Sequence, residues 1–301
     1  MRGPDLRGCR IAVIGGDART LFYIPALMET GAEVKAVGLE KAVGLVPCDL
    51  SHLPDALLWA DVLILPMAGV ARDGTVSTQF SDHRLVLGAE NGSLARPGTL
   101  VLTGVARGGL KELAASLRWR LLEIVDIDEL AIQNSIPSAE GALQMAMETS
   151  DITIHHSHSL VLGFGRVGMT LAKALAGLGA KVFVAARNPV DLARIKVCGY
   201  GAVPFSELAF DLNSADFVFN TVPAMVLGES LLQLTRPEVV IIDIASVPGG
   251  VDFAAAERLG RKAVLAPSLP GLVAPRTAGR ILGDLLPAII KQQLEGRIDR
   301  Q

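Results

Sequence analysis

The chain has 301 residues, half of them hydrophobic and 20% charged, with a net charge of −3 and a mean hydropathy of +0.42. That composition supports a well-buried core rather than disorder, and so small a net charge gives no electrostatic reason to expect nucleic acid or an anionic membrane surface as a partner. The apolar runs at 62–65, 159–162 and 239–242 each close on Pro, Gly or Asp, and none approaches the roughly 20 residues of a membrane-spanning helix. Runs this short suit strands of a parallel sheet buried on both faces.

Residues 1–7 contain no apolar stretch of the signal-peptide kind. The three cysteines, Cys9, Cys48 and Cys198, lie far apart without metal-ligand spacing. They read as reduced thiols, buried as small hydrophobes. The expectation is a cytoplasmic protein.

The first apolar run, Arg10–Ile14, turns at Gly15-Gly16 into a helical stretch ending near Thr30, and 31–34 opens a second strand. This turn lacks a G-x-G-x-x-G spacing, so no second nucleotide is expected there, although its backbone amides could face a ligand cleft. Segments 60–66 and 96–103 continue the alternation of β-type and helical stretches. The same order then recurs. A run at 160–162 closes on Gly163, a helical stretch ends near Leu178, and 179–182, 215–223 and 236–243 follow. Each half runs on to a double glycine, Gly108-Gly109 and Gly249-Gly250. This is the pattern of a doubly wound parallel sheet, written twice. The expected fold class is α/β, with two doubly wound Rossmann-like domains and a cleft between them.

Between the halves, 134–138 punctuates the chain, and Ser138 is placed to N-cap a helix running from Ala139 to about Thr149. The expected segments are 1–135 as a Rossmann-like or flavodoxin-like substrate domain, 136–155 as a linking helix and hinge, and 156–274 as the nucleotide domain. Segment 275–301, helical in period to Leu294, is expected to pack back toward the first domain.

Gly163-Phe164-Gly165-Arg166-Val167-Gly168 is a full G-x-G-x-x-G that follows an apolar strand and opens a helix. In that context the three glycines serve in turn for a tight turn, for room beside a pyrophosphate, and for close helix packing. The helix N-terminus then offers N–H groups and partial positive charge to phosphates. An acid about 20 residues on would hold a ribose 2′-hydroxyl. Here the strand ends at Arg187-Asn188 instead. A guanidinium pairs bidentately with a 2′-phosphate, and no carboxylate is there to repel it, so NADP is expected over NAD. Ligands in such sheets lie beyond the carboxyl ends of the strands, which adds Thr221, Val222, Pro223, Ala245, Ser246 and Leu269 to the expected cofactor lining.

The same rule argues against His155, His156 and His158, which precede their strand and so sit at its amino end. No metal site is expected. For substrate, the ends of the first-half strands and the hinge offer Met67, Thr103, Arg107, Asn134 and Ser135. Glu140, in the first turn of the expected hinge helix, is the candidate base or simply a carboxylate favoured by the helix dipole. The two-domain plan is shared with D-2-hydroxyacid dehydrogenases. However, 243–250 contains no arginine and no histidine follows His158, which disfavours ordinary 2-hydroxyacid oxidation.

Five segments, 11–19, 136–141, 161–170, 243–246 with 248–250, and 269–279, together resemble the dipicolinate synthase A chain of spore-forming bacteria, in order and over nearly the whole length, with Val247 standing where that family often has a basic residue. The resemblance implies oxidation of a dihydrodipicolinate-type ring to pyridine-2,6-dicarboxylate, with NADP taking the hydride. It also implies a second, flavoprotein-like subunit, in a protein expected to be a homo-oligomer as well. Two alternatives stay open: an NADP-binding scaffold for that partner with no chemistry of its own, or another small-molecule NADP oxidoreductase.

Overall fold

The computed structural model describes residues 4–296; residues 1–3 and 297–301, the outer ends of the first and last expected segments, lie outside the described residues. The chain divides into two compact units. One comprises residues up to Ala131 together with the segment from Pro275 on, and the other comprises Ile132–Ala274.

In the first unit the strands are β1 (Arg10–Ile14), β2 (Glu33–Val37), β3 (Asp49–Leu50), β4 (Val62–Ile64), the small antiparallel pair β5 (Thr75–Val76) and β6 (Leu85–Val86), then β7 (Leu100–Thr103) and β8 (Arg120–Glu123). Its helices are α1 (Thr20–Glu29), α2 (Leu53–Trp59), α3 (Ala89–Gly92) and α4 (Leu110–Ser116). Helix α5 (Asp128–Thr149) leads into the second unit, where β9 (His158–Leu162), α6 (Arg166–Gly177), β10 (Lys181–Ala186), α7 (Pro189–Val197), β11 (Gly201–Pro204) and α8 (Leu208–Leu212) follow. That unit is completed by β12 (Phe217–Asn220), α9 (Glu229–Leu232), β13 (Val240–Asp243), α10 (Phe253–Arg258), β14 (Lys262–Leu265) and α11 (Leu269–Val273), after which α12 (Pro275–Glu295) belongs to the first unit again.

Both large sheets are six-stranded and fully parallel. Their orders are β3-β2-β1-β4-β7-β8 and β11-β10-β9-β12-β13-β14. Both therefore reverse direction beside their first strand, the doubly wound arrangement. The short apolar runs follow from this burial. Ile11 and Val13 of β1 enter one hydrophobic layer while Ala12 and Ile14 enter the layer on the other face. Val161 of β9 and its neighbours Leu160 and Leu162 divide in the same way. Side chains alternate across a strand with period two, so a strand covered on both faces is apolar along most of its length. Each such Leu or Ile, fully buried, contributes about 2 kcal/mol.

The amino ends of the sheets carry the same latch twice. Asp61, just before β4, accepts the Arg10 N–H at the start of β1 at 3.3 Å, and its own N–H donates to the Arg10 carbonyl at 2.8 Å. Asp216, just before β12, accepts the His158 N–H at the start of β9 at 2.7 Å and likewise donates back at 2.8 Å. An arginine closes each latch: Arg10 itself on Asp61 and Arg236 on Asp216.

Helix α12 packs on α1 through Gly279 and Gly283. A Cβ at 279 would lie 2.6 Å from the Arg19 carbonyl oxygen, and one at 283 would lie 2.8 Å from the Ala26 Cβ. The absence of side chains lets the two helices approach this closely.

Two expectations are corrected. The linking helix begins at Asp128 rather than Ala139, with Asp128 and Glu129 supplying the acidic first turn that favours a helix start. Ser138 is therefore no N-cap; its hydroxyl donates to the Asn134 carbonyl one turn back at 2.8 Å. Asn134-Ser135, expected in a hinge, lies inside the helix, and so does Pro137. Packing explains the override, because Ser135, Pro137, Ser138 and Ala139 are all buried and burial outweighs the local preference of a proline for a helix start. Of the cysteines expected to be buried, Cys9 is, Cys48 is half-buried and Cys198 is exposed. Burial pushes the Cys9 and Cys48 thiols up to about 11.

Candidate functional site

The turn after β9 has the features that its glycines predict. Gly163 has φ +97°, and a Cβ there would stand 2.5 Å from the Thr221 Oγ1. Its N–H continues the sheet by donating to the Ala185 carbonyl at 2.9 Å. A Cβ on Gly168 would lie 2.2 Å from the Gly163 carbonyl oxygen, so α6 sits directly on the turn. Gly165 differs from both. Its φ is −81°, within reach of any residue, and a Cβ there would meet nothing within 4 Å. The protein's own packing thus demands Gly163 and Gly168 but not Gly165, whose missing side chain leaves space at the start of α6. That space lies where a pyrophosphate would approach the backbone, beside first-turn N–H groups that a helix leaves without internal acceptors. These residues fit a dinucleotide.

Around that turn Phe164 and Val167 are half-buried, while Gly165 and Arg166 are exposed. Thr221, after β12, closes the turn from the other side by donating from its hydroxyl to the Leu162 carbonyl at 2.8 Å. The residues after β10 are also open to solvent. Arg187 is exposed, with its guanidinium carbon 5.5 Å from the centre of the Phe205 ring, a cation–π contact that restrains the charged group. Asn188 N-caps α7 by accepting the Val190 N–H at 2.9 Å. Arg187 therefore lies next to a helix N-terminus, and an anion at this point would meet both.

The loops after β12 and β13 are tied together by two residues that sequence reasoning missed. Asn220 and Asp243 are both fully buried. The Asn220 amide donates to Asp243 Oδ1 at 2.8 Å and to the Val222 carbonyl at 3.1 Å, and its oxygen accepts the Val222 N–H at 3.0 Å. Asp243 also accepts the N–H groups of Ala245 at 3.0 Å and Gly250 at 2.7 Å. A buried carboxylate is stable only when saturated with donors in this way. The pair fixes the path of Thr221, Val222 and exposed Pro223 on one loop, and of buried Ala245 and exposed Ser246 on the other. The available signal was a polar residue ending each of two otherwise apolar strands. Leu269 is buried in the core, where its side chain packs within about 3.1 Å of the position a Cβ on Gly141 would take.

The residues expected to touch substrate fall into different settings. Met67 lines a small pocket with Gly16, Arg19 and Tyr23. Thr103 is fully buried, and its hydroxyl donates to the Pro66 carbonyl at 3.1 Å. Arg107 is exposed on the loop after β7. Within α5, the Asn134 Oδ1 is buried without a hydrogen-bond partner. Ser135 is buried, and its hydroxyl engages the Ile132 carbonyl and the Thr170 hydroxyl, both at 2.6 Å. Glu140 is exposed in mid-helix, so the helix-dipole account of its position does not apply.

The equivalent turn of the first unit is filled by the chain itself. The Gly16 N–H donates to the Ser77 carbonyl at 2.9 Å, the Gln79 N–H returns to the Gly16 carbonyl at 2.9 Å, and the Gln79 side chain accepts the Ala18 N–H at 3.1 Å. A Cβ on Gly15 would meet the Ser77 carbonyl oxygen at 2.5 Å. Amides expected to face a cleft are committed to this segment. Among the described residues, no group of three or more His, Cys, Asp or Glu side chains is disposed to hold a metal ion, and no helix is long and apolar enough to cross a membrane.

Comparison with known proteins gives the two units separate matches. Residues 10–125 match the N-terminal domain of the dipicolinate synthase A chain. Residues 132–250 match the NAD binding domain of D-isomer specific 2-hydroxyacid dehydrogenases, so the second unit is a nicotinamide-dinucleotide domain of oxidoreductase type. The protein is 40% identical over 293 residues to the dipicolinate synthase A chain of Bacillus subtilis, covering 95% of this chain and 97% of that one. Its structure is similar to the crystal structure of the corresponding chain from Bacillus halodurans, with a TM-score of 0.91 at 38% identity over 96% of this chain and 99% of that one. The crystal structure of the Bacillus subtilis A chain gives a TM-score of 0.90 at 38% identity over 97% and 99%.

Proposed function

The protein belongs to the dipicolinate synthase A-chain family, and from that membership we propose that it oxidises a dihydrodipicolinate-type ring to pyridine-2,6-dicarboxylate with NADP as the acceptor. The observation that carries this reading is kinship across both units, at 40% identity over 95% of the chain, with a protein bearing that name. Bound NADP supplies a hydride acceptor; the ring loses that hydride and one proton and becomes aromatic. Aromatisation provides much of the driving force, so the side chains have chiefly to orient the ring and receive the proton.

In this reading the second unit binds the cofactor. Gly165 admits the pyrophosphate, and the first turn of α6 donates to it. Arg187, held over Phe205, pairs with the 2′-phosphate, while Asn188 caps the adjoining helix. The loops of Thr221–Pro223 and Ala245–Ser246, with Leu269 beneath, shape the rest of the pocket. In the first unit Arg107, exposed on the loop after β7, meets substrate, and Met67 lines a pocket of that unit; Thr103, and Ser135 on α5, are buried with their hydroxyls engaged and hold the backbone in place. Glu140, which has no ion-pair partner among the described residues, is the assigned proton acceptor. The protein works in the cytoplasm, as a homo-oligomer and with a second, flavoprotein-like subunit.

The test is direct. The protein is mixed with its partner subunit, NADP and freshly generated dihydrodipicolinate, and NADPH absorbance is followed alongside product identification. NADPH and pyridine-2,6-dicarboxylate appearing in equal amounts is the expected result. No turnover beside a partner shown to be active would overturn the reading.

A further inference from the structure

The first unit contains a cavity of about 590 Å³, within the range of roughly 300–1,000 Å³ typical of small-molecule sites. It is formed by the loops that follow β4 and β7, together with the start of the β5–β6 pair. Arg72 and Arg107 both line it, with Gly69, Gly108, Thr75 and Ser77, and no carboxylate does.

The two arginines are brought together by an interlock of backbone on backbone. A Cβ on Gly69 would lie 2.2 Å from the Val105 carbonyl oxygen, and one on Gly104 would lie 2.0 Å from the Met67 carbonyl oxygen. Gly108, at φ +63°, would place a Cβ 2.5 Å from the Ala71 carbonyl. Three glycines therefore lock the loop after β4 against the loop after β7, and side-chain-free contacts of this kind leave little room to yield. Arg72 and Arg107 project from a frame that cannot easily separate them.

The charge on this frame is uncompensated. Arg7, Arg10, Arg19 and Arg84 of the same unit each pair with an aspartate. Arg72 and Arg107 have no such partner among the described residues. The carboxylates on the adjoining backbone are already engaged. Asp73 binds Arg84 and accepts the Thr75 N–H at 3.0 Å. Glu123 binds Lys111 and accepts the Ala106 N–H at 2.7 Å, and those two contacts, Lys111 first, hold its carboxyl below the usual range. Two like charges held at one cavity repel each other, and an anion relieves that cost. Guanidinium groups also pair bidentately with carboxylates.

We propose that this cavity is the dicarboxylate site of the protein, with Arg72 and Arg107 each taking one carboxylate of the ring. The assignment rests on the reading of the reaction given above, and it adds Arg72, which no sequence pattern singled out. A ligand with one carboxylate can satisfy only one guanidinium, so the pair selects for two.

Binding to the full chain decides the matter without any need for turnover. Pyridine-2,6-dicarboxylate and pyridine-2-carboxylate are titrated calorimetrically into wild type, Arg72→Gln and Arg107→Gln, with NADP binding and thermal midpoint measured on each as controls. Wild type is expected to bind the dicarboxylate at least about tenfold more tightly than the monocarboxylate. Each variant should lose about 10- to 100-fold toward the dicarboxylate, the strength of a charged hydrogen-bonded pair, and hold the two ligands alike, with NADP binding and midpoint unchanged. Full dicarboxylate affinity in both variants, or none in wild type, overturns the site. In either case NADPH formation by wild type from the dihydro compound still upholds the reaction. Affinity lost in the variants, in a protein that makes no NADPH, would uphold the site and sink the reaction.

Discussion

The two units of this chain are alike at the amino ends of their sheets and opposite at the carboxyl ends. Asp61 and Asp216 make the same reciprocal latch to the first residue of β1 and of β9. At the other end the first unit packs its own Ser77–Gln79 segment into the Gly15-Gly16 turn, whereas the second leaves Gly165 facing open space. Strand order and burial build the frame in both cases. The difference lies in the turn after the first strand of each sheet, whose N–H groups are spent on the chain in one unit and left free of it in the other.

The largest test of that contrast is Gly165→Val. The space there accommodates a Cβ, so the unfolding free energy should fall by only the cost of Val at the α6 N-cap, about 1 kcal/mol, while NADP affinity should fall at least about 100-fold. Isothermal titration that finds NADP binding intact would remove the basis for calling this mouth open to a cofactor. Lost activity of the assembled complex in the same variant would also argue against a scaffold role.

Arg187→Ala sharpens the comparison within the open mouth. Removing one charge-assisted pair should weaken NADP by about 30-fold, or about 2 kcal/mol, and leave NAD affinity where it was. Parallel loss toward both cofactors would show that Arg187 does not read the 2′-phosphate.

Gln79→Ala probes the filled mouth. The Ala18 N–H loses its acceptor, and urea unfolding should report a loss of about 1 kcal/mol. NADP stoichiometry should stay at one site per chain; a second equivalent would mean that the segment gates a ligand rather than replacing one.

The smallest effect is expected at the shared latch. The Arg10 side chain, helped by the Arg10 N–H and opposed by burial, holds the Asp61 carboxyl below its ordinary range. A depressed carboxyl stabilises the fold above its unfolded value of about 4, and that share is lost as pH falls through the lower folded value. Asp61→Asn should therefore cost under about 1 kcal/mol at neutral pH, solvent screening included, with the gap from wild type closing as the solution is acidified below about pH 4. A gap that stays constant with pH would show that shape rather than charge makes this latch.

Much of the architecture was legible because its causes are local. A strand covered on both faces writes itself as a short apolar run, and Gly163, Gly165 and Gly168 stand at the spacing that a tight turn, an approaching phosphate and a packed helix require. The place of Arg187 could be read in the same way, since it directly follows its strand. By themselves, then, the residues determined where the strands run, that the pattern occurs twice, and which turn carries the glycine spacing of a dinucleotide domain. The tertiary structure decided the rest. It carried α5 through Pro137 by burying the segment around it, and joined Asn220 to Asp243 across 23 residues. It also bound Ala18 to Gln79 across 61 residues, and set Arg72 beside the same cavity as Arg107 through three glycines on two loops. Each of these depends on contacts between segments distant in sequence, and such contacts leave no periodic trace in either segment alone.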